Sequence, residues 1–439
     1  MGMPNIAPVG RAEEKGGRRR STALRPVLIA IALAGCASGG GTGAAAAPTT
    51  AIAPPTLPAL TGVFTPSSLT SKEIAPGVAH VEMAIPGGPW LVHIVAISPA
   101  AREVELRSVK GLDHVVGRER PSEMARRTAL AEHRTLLAAV NADFFNFTPP
   151  GVSEGPQVSD GRVVKSEDRN RAARADTVLR DQPVFGVAAN GRPFFADAHL
   201  EGGVRIANGA TLTLLRVNRA ANRDSLTLYD GFMGDTTPSD SGVTELVLRT
   251  VHAAAMAGDT ATAVVESVDN ATAGVRIPID GAVLALPSRM AGEGTGAASG
   301  ALAAGDTVRW WTPFTGAPPR VRELVGGYPM LLRDGRRVFE DTKAIISGFS
   351  VTQHPRTAVA TRADGTLIIM AVDGRSEASK GMSLTRLTDF LVALGAVNAL
   401  NLDGGGSTVM LVRDSIVNHP TDKEGERAVA NALVVLGGS

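Results

Sequence analysis

The sequence predicts an α+β fold: a mixed β-sheet core flanked by helices, with a C-terminal βαβ unit and a β-rich insertion. Three observations predict it. A capped amphipathic helix, "SLTRLTDFLVALG", stands between two apolar runs near the C-terminus. A second helical stretch precedes the apolar run "LLAAVNADFF". Between them, residues 202–312 alternate in short segments with no long helical pattern. A chain of 439 residues that is 44% hydrophobic can bury a large core and is not disordered by composition.

The N-terminus reads as an export signal. "RRRSTALRPVLIAIALAGCASGGG" has a basic region, an apolar core too short for a permanent span, and then Leu33-Ala34-Gly35-Cys36, which resembles a bacterial lipobox. Residues 1–35 are thus expected to be a lipoprotein-type signal, with Cys36, the chain's single cysteine, carrying lipid. An ordinary secretory signal with an incidental cysteine is the alternative. Residues 36–70 begin Ala/Gly/Thr/Pro-rich and read as a tether that holds an exported, lipid-anchored protein off the bacterial cell envelope.

Residues 71–135 read as a β-rich segment with one helix. "WLVHIVAIS" and "EVELRSVK" look like a hairpin, and Pro121 near the first turn opens a helix over "PSEMARRTALAEHRT". Residues 136–439 form the main domain, with a β-rich subdomain at 202–312 built from runs such as "TLTLLRVNR", "TELVLRT" and "DTVRWWT". The glycines at 291–300 read as a loop.

The C-terminal part carries the clearest signals. In "RTAVATRADGTLIIMAVDGR" two apolar runs flank Asp364-Gly365, a hairpin signal. Ser383 caps the next helix and Gly395 ends it. The strands ending at Val372 and Leu402 should therefore run parallel. Asp373 and Asp403 then lie at one sheet edge, about 4.8 Å apart for neighbouring strands or twice that with one strand between.

Arg356, Arg375 and Arg427 recur around these aspartates. Arginine grips phosphate bidentately and keeps its proton, so convergence of the three suits a phosphate-bearing substrate. Gly404, Gly405 and Gly406 are expected to offer backbone N–H groups as an anion nest, with the Ser407 hydroxyl as a further donor. Taken singly, Asp-Gly is most often a turn, and Asp364 is left as one. Phe144 and Phe145 read as core, His354 as a turn residue, and Ser407 lacks a nucleophile elbow because Val409 breaks GxSxG.

Other classes are excluded. Lys+Arg 44 against Asp+Glu 43 leaves a formal charge of +1, so no overall field draws nucleic acid. One cysteine excludes internal disulfides and cysteine-based zinc sites, and HExxH, P-loop and GxGxxG motifs are absent. Neither cofactor nor metal is expected.

"AVNADFF", "VGGYPMLLRDGR", "HPRTAVATRADGTLIIMAVDGR", "GMSLTRLTDFLVALGA", "NLDGGGSTVMLV" and "VNHPTDKEGERAVANALVVL" together resemble the phosphodiester glycosidase family, in its bacterial, exopolysaccharide-related branch. The resemblance runs from about residue 138 to the C-terminus. It implies hydrolysis of a sugar-1-phosphate diester at the glycosidic bond, releasing free sugar and a phosphomonoester. Asn141, Arg356, Asp373, Asn401, Asp403, Ser407 and Arg427 fall on the family's motif positions, while "NADFF" departs from its commoner Asn-Gly-Gly-Phe-Phe form. Asp403 is the expected attacking group, with Asp373 orienting the sugar or an arginine. The partner is a phosphorylated carbohydrate or glycopolymer. Two alternatives stay open: a non-catalytic surface module that binds phosphorylated glycan, and a metal-dependent phosphodiesterase that cuts on the phosphorus side.

Overall fold

The computed structural model describes residues 52–148, 150–167, 182–220, 225–239, 243–270, 273–287, 302–338 and 348–438. The signal-like segment, Cys36 and the glycines at 291–300 lie outside them. Among the described residues no helix is long and apolar enough to cross a membrane.

The expected α+β class is wrong: the described residues are mostly β, 49% strand against 10% helix. Its largest sheet has eight strands in the order Ser68–Ala75, Val78–Ile85, Trp90–Ile97, Leu367–Val372, Arg356–Arg362, Ala396–Asn401, Met330–Arg333 and Arg336–Arg337. Every pairing in it is antiparallel, so it is not a mixed sheet. The strand Arg356–Arg362 lies between Leu367–Val372 and Ala396–Asn401 and is antiparallel to both, so those two run parallel to each other one strand apart. The two runs joined by the helix are thus parallel as expected, at the wider of the two spacings, and what fails is the mixed, helix-flanked class.

A five-stranded sheet, in the order Ser415–Ile416, Met410–Val412, Thr135–Asn141, Asn431–Gly437 and Glu105–Lys110, packs on the first. Val95, Ile97, Val359, Ile369 and Leu400 of one sheet share a core with Leu137, Val140, Met410, Leu433 and Val435 of the other. Alternating strand residues thus bury one face in a sandwich. The expected hairpin of Trp90–Ile97 with Glu105–Lys110 does not form; the first strand joins the eight-stranded sheet and the second pairs with Asn431–Gly437.

Helix Leu384–Ala393 forms where its caps place it. Ser383 accepts the Arg386 N–H at 3.2 Å, and Gly395 takes φ +78° just beyond the end. Its Leu384, Leu387, Phe390 and Leu391 bury one face against the eight-stranded sheet, together with Leu60 and Phe64. Those last two lie inside the stretch read as tether. Helix Pro121–Ala131 buries Met124, Ala125 and Ala129 against the five-stranded sheet.

Residues 202–312 hold a closed seven-stranded barrel, from Gly202–Arg205 to Thr307–Trp311, with its own core of Leu214, Leu226, Leu246, Leu284 and Val308. Closure leaves the barrel without an open sheet edge.

Candidate active site

The stretch "NLDGGGSTVM" was read as a strand, a glycine turn and a second strand. Its two strands belong to different sheets: Asn401 ends a strand of the eight-stranded sheet and Met410 opens one of the five-stranded sheet. Asp403 therefore sits where the chain crosses from one layer to the other. Asn141, at the end of a five-stranded-sheet strand, ties the crossing down. Its Nδ2 donates to the Asp403 carbonyl at 2.6 Å, while its Oδ1 accepts from Thr357 Oγ1 at 2.7 Å and the Val409 N–H at 3.2 Å. Asn141, which the sequence offers as a substrate ligand, thus gives its Oδ1 and one Nδ2 hydrogen to fastening the crossing.

The three arginines do converge, one on each glycine. A Cβ on Gly404 would meet the Pro355 carbonyl oxygen at 2.8 Å and the Arg356 side chain at 3.8 Å. On Gly405, which has φ +61°, it would lie 2.8 Å from Arg375 Nη2, and on Gly406 2.1 Å from Arg427 Nη2. Close approach of guanidinium groups thus requires glycine here. The expected N–H nest does not stand open: Gly404 N–H donates to Asp403 Oδ1 at 2.8 Å, Gly405 N–H to Pro355 O at 2.9 Å, and Ser407 N–H to Gly404 O at 3.1 Å.

The arginines differ in charge balance. Arg427 is held bidentately by Asp422, at 2.6 and 2.8 Å, and reaches Ser407 Oγ at 3.3 Å. Arg356 is buried, donating Nε to Met382 O at 2.9 Å and Nη2 to Phe349 O and Thr352 O at 2.8 and 3.1 Å. Among the described residues no carboxylate pairs with it, and burial lowers its pKa to about 10. Arg375 is exposed, has φ +59°, and donates to Thr421 Oγ1 at 3.2 Å. Two of the three cations at the crossing therefore have no carboxylate partner among the described residues.

Asp403 is partly covered at the surface but densely surrounded, and burial raises its pKa to about 6. The Ser407 hydroxyl, the Gly404 N–H and the Arg427 charge oppose that rise, and the Glu154 charge adds to it. Glu154 was not singled out from sequence, since nothing local links residue 154 to residue 403. Asn401 donates Nδ2 to Tyr328 O at 2.7 Å, leaving its Oδ1 buried without a partner.

Among the described residues no arginine pairs with the Asp373 carboxylate. Its Oδ1 accepts the His419 N–H at 2.9 Å and its Oδ2 meets His419 Nδ1 at 2.7 Å. His419 was missed in the sequence, although it lies inside "VNHPTDKEGER". The same segment wraps the crossing through Asn418, whose Oδ1 accepts the Met410 N–H at 2.8 Å, and through Thr421 and Asp422. Because Arg356 pairs with Val372 in register, it stands beside Asp373 and between the two aspartates. Their strands lie two spacings apart, about 9.6 Å.

Phe145 is core, as read, but Phe144 is not. It packs edge-on to Phe349 at 5.9 Å, and Phe349 lies beside Tyr328 at 6.5 Å and under the Arg356 guanidinium at 5.5 Å. An aromatic wall thus borders the arginines. A separate cleft of about 500 Å³ opens at one end of the barrel, where the charged pair Arg162 and Asp230 is mutually satisfied at 3.0 Å.

Residues 252–436 match the model of the phosphodiester glycosidase family. That part of the chain belongs to this family. The match includes both aspartates, the glycine run and all three arginines of the candidate site, whereas Asn141 and Glu154 precede it. An uncharacterized prophage-derived protein of Bacillus subtilis, YomE, is 41% identical over 83 residues, 19% of this chain and 13% of its own. The mouse N-acetylglucosamine-1-phosphodiester alpha-N-acetylglucosaminidase is 32% identical over 110 residues, 23% of this chain and 21% of its own. The chain thus matches about a fifth or less of these curated relatives. A hypothetical protein from Synechocystis shares the fold, with TM-score 0.64 and 21% identity over 84% of this chain and 64% of that one.

Proposed function

We propose that this phosphodiester glycosidase-family chain hydrolyses the glycosidic bond of a sugar-1-phosphate diester, releasing free sugar and a phosphomonoester. One observation carries the reading. A carboxylate with a raised pKa, Asp403, stands at the head of a glycine run against which three arginine side chains pack, two of them without a carboxylate partner among the described residues. Unpaired cations beside a carboxylate suit a substrate that brings its own anion next to the bond to be broken.

Arg356 and Arg375 hold the phosphate, which leaves as a phosphomonoester and needs little protonation. Arg427, already neutralised by Asp422, positions Ser407 against Asp403. Asp403 faces the anomeric carbon, and the wall of Phe144, Phe349 and Tyr328 takes the apolar face of the sugar. The substrate is a glycan of the cell envelope or its surroundings, reached from the lipid anchor at Cys36; this part rests on the N-terminal sequence.

Incubating the purified chain with a panel of sugar-1-phosphate diesters and identifying both products tests the reading. Free sugar with phosphomonoester is expected. Sugar-1-phosphate as product, with loss of activity in chelator, would instead make it a metal-dependent phosphodiesterase. Tight binding without turnover would make it a glycan-binding module.

A further inference from the structure

We propose that His419, oriented by Asp373, is the general base that takes the proton from the hydrolytic water; this rests on the reading of the site as a phosphodiester glycosidase. Both oxygens of Asp373, itself only 2% exposed, are directed at this one residue, through its N–H and its Nδ1. The His419 side chain is 79% exposed, so its Nε2 is the nitrogen left for solvent. A loop tether alone would be served by the N–H bond. The ring contact adds a fixed tautomer and a carboxylate that stabilises the imidazolium, the arrangement a general base requires.

The surroundings keep Asp373 available for that role. Among the described residues no Lys or Arg pairs with it. His93 Nε2 lies 4.0 Å away, beyond hydrogen-bond distance, and burial lowers the His93 pKa, so His419 is the histidine that the carboxylate engages. Ser379 Oγ donates to the Asp373 carbonyl at 2.7 Å, and the Asp373 N–H donates to Leu91 O at 3.0 Å, so the carboxylate is rigidly mounted. Two residues after His419, Thr421 accepts from Arg375, the guanidinium that packs on Gly405. The segment that carries the ring therefore also holds the arginine that packs on the glycine run.

In the step itself an O–H bond of water breaks and its proton passes to His419 Nε2. The water oxygen forms the new bond to the anomeric carbon, and the electron pair of the bond that breaks leaves with the departing oxygen. The proton then returns to solvent from the exposed ring. Asp373 is a positioning residue, holding the ring through its Nδ1.

The test compares wild type with His419→Gln and Asp373→Asn on a turned-over sugar-1-phosphate diester, with and without azide. Gln keeps the backbone bond to Asp373, so the loop is retained. In His419→Gln, kcat should fall about 100-fold or more with KM little changed. Azide, which attacks without losing a proton, should restore sugar transfer and yield a glycosyl azide. Asp373→Asn should fall less and be rescued in the same way. A His419→Gln enzyme with wild-type kcat, or a loss of turnover that azide does not restore, overturns the proposal while leaving the glycosidase reading in place. A wild-type chain that releases no sugar from any diester overturns that reading, and the role of His419 with it.

Discussion

Asn141, at a strand end of one sheet, and Asp403, on the crossing from the other, stand 262 residues apart, and the Asn141 amide holds the Asp403 carbonyl at 2.6 Å. This bond fixes the chain crossing on which the glycine run and the arginines are arranged. Asn141→Ala would leave the Asp403 carbonyl, the Thr357 hydroxyl and the Val409 N–H without their partner. Orphaned buried groups cost about 1–3 kcal/mol each. Thermal unfolding should show a loss of about 3 kcal/mol or more, and activity should fall with it. A variant as stable as wild type would show that the crossing is held by other contacts.

Asp403→Asn should abolish turnover yet stabilise the fold at neutral pH. The Asp403 pKa, about 6, lies above its ordinary value of 3.8, so the native state favours the protonated form. Its contribution to stability is complete below the unfolded pKa and is lost as pH rises through 6. The variant should therefore melt higher than wild type at pH 8, and the gap should close towards pH 4. In the wild-type enzyme kcat should rise with pH through about 6, as the carboxylate ionises. A Tm difference independent of pH would mean that Asp403 is not held at a raised pKa.

Gly406→Ala places a methyl group 2.1 Å from Arg427 Nη2 and 2.2 Å from Asp422 Oδ1. The bidentate pair must open, and Ser407 loses its guanidinium contact. Misplacement of about 1 Å in a catalytic constellation costs about 100-fold. Steady-state kinetics should show a loss of that order in kcat/KM, and wild-type kinetics would argue against Arg427 positioning Ser407.

Arg375→Ala and Arg356→Lys should separate binding from folding. Arg375 is exposed and its one side-chain hydrogen bond goes to Thr421, so its removal should leave stability within about 0.5 kcal/mol. KM for the diester should nevertheless rise about tenfold or more, with the loss of a charge-assisted contact to phosphate. Lysine at 356 cannot reproduce the fork that reaches three carbonyls, so that variant should lose both affinity and about 2 kcal/mol of stability. An unchanged KM in both would remove the phosphate role of these arginines.

Local signals were readable where local physics decides. Ser383 and Gly395 bracket the helix Leu384–Ala393 because capping acts within one turn. Asp364 turns the hairpin of Arg356–Arg362 and Leu367–Val372 by accepting the Thr366 N–H at 2.9 Å. The fold class was misread because pairing between strands distant in sequence leaves no local trace. Trp90–Ile97 carries no sign that its partner is Leu367–Val372, nor Glu105–Lys110 that its partner is Asn431–Gly437.

By itself the sequence determined the chemical inventory of the site: two aspartates, three arginines and a glycine run, ordered along one stretch whose composition allows no cysteine or nucleotide-loop chemistry. Only the tertiary structure decided their partnerships. It used Asn141 and most of the glycine N–H groups to hold the crossing, paired Arg427 with Asp422, left Arg356 and Arg375 without a carboxylate, and gave Asp373 to His419. The physical reason is range. Residue type sets what a side chain can do, but charge balance and hydrogen bonding depend on atoms within about 3 Å, and here those atoms come from strands and loops tens to hundreds of residues apart.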